Sequence, residues 1–101
     1  MATDRPSIAP DLLADLCRRW KIREFALFGS ILRDDFSPES DVDVLVDFEA
    51  DHPWSGFDLV DLLDELERAF GRRVDLVTKK GLRNPVRREV ILNARRVLFA
   101  A

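Results

Sequence analysis

The stretch "FGSILRDDFSPESDVDVLVDF" (residues 28–48) decides how this chain is read. Gly29-Ser30 closes the apolar run "REFALF" (23–28), which is too short for a helix and reads as a strand stopped by glycine. Residues 30–34 allow one helical turn, "SPES" (37–40) signals a reversal, and "DVDVLVDF" (41–48) alternates as a strand. Val42, Val44, Val46 and Phe48 point to one face, and Asp41, Asp43, Leu45 and Asp47 to the other. Two aspartates one residue apart in such a strand are costly unless water or a cation meets them. Either they lie on a solvent-facing edge, or something cationic sits on them.

On the N-terminal side, Leu12, Leu13, Leu16, Cys17 and Trp20 recur at helical spacing after Pro10, so residues 10–20 read as an amphipathic helix. On the other side, "EADHPWSG" (49–56) has loop composition. Leu59, Leu62, Leu63, Leu66 and Phe70 mark a helix over 57–70 that Gly71 stops, and "RVDLVT" (73–78) reads as a third strand. After the turn "KKGLRN", Asn84 suits an N-cap and Pro85 the first helical position. Val86, Val90, Ile91, Ala94 and Val97 then line one face of a last helix. The order helix, strand, strand, helix, strand, helix predicts an α/β (α+β) layer, with helices packed on a small sheet.

At 101 residues the chain is expected to form one domain, 1–101, with no repeat, linker or low-complexity segment. With 47% hydrophobic and 35% charged residues it reads as globular and soluble, without a membrane span or secretion signal, hence cytoplasmic. The lone Cys17 excludes an internal disulfide and reads as core, as does Trp20, while His52 reads as a surface residue. The net charge of −3 hides an asymmetry: residues 1–71 hold 7 Lys and Arg against 17 Asp and Glu, whereas residues 72–101 hold 9 against 2. The acidic front and basic tail either close on each other or leave the tail to meet a polyanion.

Asp41 and Asp43, at i and i+2, leave the same face of a strand roughly 6–7 Å apart at the backbone. If the third strand lies beside the second, Asp75 joins them. Three such carboxylates repel, by about 4 kcal/mol per pair at about 4 Å and an effective dielectric near 20. A divalent cation relieves that repulsion, and oxygen-only ligands favour Mg²⁺ or Mn²⁺ over zinc. Two such ions are a recurring device for phosphoryl and nucleotidyl transfer. Gly29 permits close approach of the backbone to a phosphate, and the Ser30 hydroxyl and following amides can donate to it.

These residues resemble the Gly-Ser, ten-residue spacer, Asp-x-Asp signature of nucleotidyltransferases of the DNA polymerase β superfamily. Over residues 8–98, "LFGS", "SDVDVLVDF", the following helix, "RRVDLVT" and the basic end follow the order of a minimal nucleotidyltransferase (MNT) domain. The resemblance implies a palm-like fold with a small mixed sheet. It implies Asp41, Asp43 and Asp75 as catalytic residues and ligands of two Mg²⁺ ions, with Asp75 the base for the incoming hydroxyl. It places Gly29, Ser30, Arg33 and Ser40 at ATP, the nucleoside triphosphate substrate. It further implies an MNT-type antitoxin paired with a HEPN-domain RNase toxin, which it neutralises by moving AMP from ATP to a tyrosine. One departure stands out: where family members often continue Gly-Ser with Arg-x-Arg-Gly, this chain has Ile31, Leu32, Arg33 and Asp34.

Two alternatives to the enzyme reading follow. One is an antitoxin that works by occlusion, with chemistry dispensable; "VLFAA" (97–101) and Trp54 offer partner contacts, although sheet packing serves Val97 and Leu98 as well. The other is a nucleic-acid binder using Arg72, Arg73, Lys79, Lys80, Arg83, Arg87, Arg88, Arg95 and Arg96. Overall acidity and few exposed aromatic residues weigh against the second.

Overall fold

Proline at the first position of helix α1 (Pro10–Arg19) costs no hydrogen bond, because the first N–H groups of a helix have no intrahelical partner. Asp11 near the start of α1 and Arg18 and Arg19 near its end suit the helix dipole, and the helix buries Leu13, Leu16 and Cys17. Leu12, expected on that stripe, is exposed instead. Strand β1 (Ile22–Phe28) runs into a 3-10 turn, Gly29–Leu32, and β2 (Val42–Phe48) returns antiparallel beside β1. Helix α2 (Gly56–Phe70) opens with the Ser55 N–H donating to the Asp58 carboxylate at 2.8 Å and stops at Gly71, whose φ is 71°. Strand β3 (Val74–Thr78) lies parallel to β2. Helix α3 (Pro85–Ala94) starts at Asn84, whose Oδ1 accepts from the N–H groups of Val86 and Arg87 at 3.0 and 3.1 Å. This is the computed structural model of residues 6–101; residues 1–5, part of the stretch read as carrying no secretion signal, lie outside the described residues.

The C-terminus corrects the expected order of elements. α3 ends at Ala94, and residues Arg96–Ala100 form a fourth strand, β4, antiparallel to β1. The sheet order is therefore β3-β2-β1-β4, a mixed four-stranded sheet in an α+β fold. Val97 continues the helical spacing of Val90 and Ala94, but it faces Ala26 across the β1–β4 ladder. Without β4, strand β1 would present a row of unpaired backbone groups. The corner is held by Arg95, whose Nε donates to Glu24 at 2.6 Å.

The sheet is covered unequally. On one face, α1 and α2 bury Leu16, Leu62 and Leu66 against Phe25, Val42, Val44 and Val46. Leu98 and Phe99 pack against this core, and so does Trp54. Trp54 is thus an internal contact: its indole N–H donates to the Trp20 carbonyl at 2.6 Å, and the two rings lie 4.9 Å apart. The other face is covered more thinly by α3 and the preceding turn, through Ile91 and Leu82 on Ala26, Phe28 and Leu45. The apolar face expected for α3 is consequently only partly used: Val86 and Val90 remain 71% and 62% exposed. Cys17 is fully buried, and that burial pushes its thiol up to about 12. Among the described residues no helix is long and apolar enough to cross a membrane.

A chain ending at Arg95 removes Leu98 and Phe99 from the core and opens the β1 edge. It is expected to lose about 3 kcal/mol or more of stability and to self-associate, measured by urea unfolding and sedimentation.

Candidate active site

Parallel pairing of β2 and β3 places Asp43 directly opposite Asp75. Val77, two residues beyond Asp75, packs under α3 with Leu45, so Asp43 and Asp75 share the thinly covered face. Asp41 stands just before β2, is about half exposed, and faces Arg73, whose Nε lies 3.6 Å from its Oδ1. The expectation that the third strand adds Asp75 to the pair is met by the register itself.

Gly29 meets these carboxylates from β1. Phe28 is the register partner of Asp43, so the turn after Phe28 passes against the Asp43 side chain. Gly29 has φ +75°, and a Cβ added there would overlap Asp43 Oδ2. Glycine is required twice over, for the left-handed backbone and for the space. The backbone N–H of the next residue, Ser30, favours the charged form of the Asp43 carboxylate. The Gly-Ser pair and the second aspartate of the Asp-x-Asp signature therefore form one contact unit.

The Asp43 carboxyl is raised above the ordinary aspartate range, first by burial and next by the charge of Asp75. Asp41 adds to the rise, while the Ser30 N–H and the charge of Arg33 oppose it. Three carboxylates whose mutual repulsion raises a proton affinity are a donor set that suits a hard divalent cation. As they stand, no three His, Cys, Asp or Glu side chains among the described residues are close enough together to hold a metal ion.

The remaining sequence candidates divide. Arg33 lies close enough to act on Asp43 electrostatically, and its Nε is 3.3 Å from Asp35 Oδ1. Ser40 is committed to the loop: its Oγ accepts the Ser37 N–H at 3.1 Å. Ile31, where the family often has arginine, is buried in the core, and Asp34 is exposed. Sequence reading missed the role of Arg72. Its Nη1 donates to the carbonyls of Ser37 and Ser40 at 3.0 and 3.1 Å, and its guanidinium lies 4.9 Å over the Phe36 ring. Arg72 thus clamps the 36–40 loop that delivers Asp41, and Arg73 pairs with Asp41 itself. The one sequence signal was the Arg72-Arg73 doublet entering β3.

Gly29→Ala is expected to cost more than the ~1–2 kcal/mol of a left-handed alanine, because the methyl also displaces the Asp43 carboxylate. In an Asp43→Ala background the excess should vanish, so a double-mutant cycle read by urea unfolding isolates the contact. A raised carboxyl contributes stability that is complete below the ordinary aspartate range and lost as pH rises through the raised value. At pH 7, Asp43→Asn is therefore expected to match or exceed wild type, by on the order of 1 kcal/mol or less after solvent screening. The difference should close below the ordinary aspartate range, in thermal melts across pH.

Residues 10–98 match the family model described as "Nucleotidyltransferase domain". The protein adenylyltransferase MntA of Thermococcus cleftensis is 40% identical over 77 residues, covering 76% of this chain and 76% of that protein. A solved minimal nucleotidyltransferase is 34% identical, with a TM-score of 0.69 and 86% of each chain covered. The tri-AMPylated Shewanella oneidensis HEPN toxin in complex with its MNT antitoxin contains a chain of the same fold, with a TM-score of 0.61 and 23% identity. That likeness covers 91% of this chain and 70% of the other. With its Gly-Ser turn, its Asp-x-Asp strand and a match over nearly its whole length, the chain belongs to the nucleotidyltransferase domain family.

Proposed function

We propose that this protein is an MNT-type antitoxin, a single minimal nucleotidyltransferase domain that transfers AMP from ATP to a hydroxyl of a HEPN-domain toxin. The observation that carries the reading is the register of β2 on β3, with Asp43 opposite Asp75 and backed by Gly29-Ser30. The relatives named above support the direction: one is a protein adenylyltransferase, and another is an antitoxin bound to an AMPylated toxin. ATP is the substrate and the cytoplasm the compartment.

In this reading Gly29 admits the triphosphate close to the backbone, and Ser30 donates to a phosphate oxygen. Arg33 adds positive charge on the same side. Asp41, Asp43 and Asp75 would hold Mg²⁺ (two ions, with Mn²⁺ as a substitute), which when bound neutralises phosphate charge and polarises the phosphorus for attack. Asp75, which like Asp41 is exposed, takes the proton of the acceptor hydroxyl. The acceptor oxygen bonds to the α-phosphorus, the bond to the bridging oxygen breaks, and pyrophosphate leaves. Ser40 acts through the loop it braces, by orienting Asp41.

A protein acceptor suits the surface. Phe57 on α2 is 88% exposed, and Val86 and Val90 stand out on α3. The same surface supports the alternative, an antitoxin that occludes its toxin without chemistry.

The deciding measurement is transfer of label from ATP carrying a radioactive α-phosphate to the cognate HEPN protein, in the presence of Mg²⁺. Label on the partner, reduced at least about 100-fold by Asp41→Asn and by Asp43→Asn, is the expected result. A stable complex without label in wild type and variants alike would leave occlusion as the function.

A further inference from the structure

Helices α2 and α3 pack on opposite faces of the sheet, and their charges are opposite too. α2 carries Asp58, Asp61, Asp64, Glu65 and Glu67 against a single base, Arg68. α3 and the turn before it, residues 79–94, carry Lys79, Lys80, Arg83, Arg87 and Arg88 against a single acid, Glu89. Two of these cations are engaged within the fold: Lys79 stands 4.0 Å from Asp47, and Arg88 donates to the Lys79 carbonyl at 3.0 Å. Lys80, Arg83 and Arg87 are exposed and form no ion pair with another described residue.

Both helices also expose apolar side chains. Phe57 and Val60 stand out on α2, and Val86 and Val90 on α3. Val86 and Val90, four residues apart, share one side of α3, while Ile91 is the residue the helix buries in the sheet. The sheet decides which of the two helices an acceptor can meet. Asp43 and Asp75 lie on the face that α3 covers, with Leu45 and Val77. A hydroxyl that reaches them approaches past α3, whereas α2 and Phe57 belong to the far face. Val90 and Ala94 also line, with Gly29, Leu32 and Arg33, a cavity of about 370 Å³ beside the Gly-Ser turn. The exposed side of α3 is therefore continuous with the catalytic end.

We propose that α3 is the surface on which the acceptor protein docks, and that the acceptor meets it with acidic side chains around apolar anchors. This rests on the protein-acceptor reading above. Apolar residues among unpaired cations suit such a partner, because a few apolar anchors carry most of the binding energy and opposite charge steers the approach. A nucleic-acid backbone would instead call for hydrogen-bond donors where Val86 and Val90 stand. The acidic surface of α2 repels the same partner.

The cognate HEPN protein titrated into the full chain by calorimetry tests this, with a non-hydrolysable ATP analogue and Mg²⁺ titrated in parallel. Val86→Ser with Val90→Ser, and Arg83→Glu with Arg87→Glu, are each expected to weaken the complex at least about tenfold, while Phe57→Ser binds as wild type does. Added salt should weaken the wild-type complex more than that of the arginine variant. All of these chains should bind the ATP analogue alike, since every substituted residue is exposed and outside the catalytic set. A complex weakened by Phe57→Ser and indifferent to both α3 variants would overturn the proposal. So would binding of single-stranded RNA that the arginine variant loses while it keeps the HEPN complex. No complex at all would overturn the proposal together with the acceptor reading. A complex that meets these expectations without label transfer leaves the docking surface in place and removes only the adenylyl-transfer reading.

Discussion

The contact between the Asp43 carboxylate and the Gly29-Ser30 turn is the constraint around which this small fold is arranged. A side chain at position 29 would displace the carboxylate, and the Ser30 N–H beside it favours its charged form. The contact exists because β1 and β2 pair with Phe28 opposite Asp43. β1 in turn needs β4 on its other side, and β2 needs β3 to bring Asp75 into line. The order of strands is thus tied to one meeting of a glycine and an aspartate.

That arrangement has an energetic cost, and the uneven helical coverage limits it. Had α3 covered the second face as fully as α1 and α2 cover the first, Asp43 and Asp75 would be ionised carboxylates without water. Instead α3 packs on Ala26, Phe28 and Leu45 with one buried residue, Ile91, and a partly buried Leu92, and the aspartate end stays open. The apolar residues α3 leaves exposed are the counterpart of that opening. Stability here comes from the α1–α2 face, while the other face is kept for polar chemistry.

The charge asymmetry resolves in space. Arg73 meets Asp41, Lys79 meets Asp47 and Arg95 meets Glu24, so the basic tail does close on the acidic front at three points. It does not close everywhere. Lys80, Arg83, Arg87 and Arg96 form no ion pair with another described residue. The sheet ends up with carboxylates at one end and cations at the other, two opposite potentials on a protein small enough for both to act on one charged ligand or partner.

Local signals decided much of this before any packing was known. Periodicity located α1, α2 and the first three strands, Gly71 and Asn84 marked helix ends through backbone chemistry, and the spacing from Gly29-Ser30 to Asp41 and Asp43 pointed to phosphate chemistry. These were legible because each depends on residues near one another in the chain. The periodicity of α3 misled at Val97, where the same spacing suits a helix face and an edge strand; only the open edge of β1 selects the strand. Trp54, read as a partner contact, turned inward because Trp20 offers both a ring and a carbonyl at that place. Arg72 gained its part from Phe36, Ser37 and Ser40, more than thirty residues away. By itself the sequence determined which residues carry charge and which local elements they ride on. The tertiary structure alone decided which charges face one another, because strand pairing and helix coverage are set by contacts between distant segments.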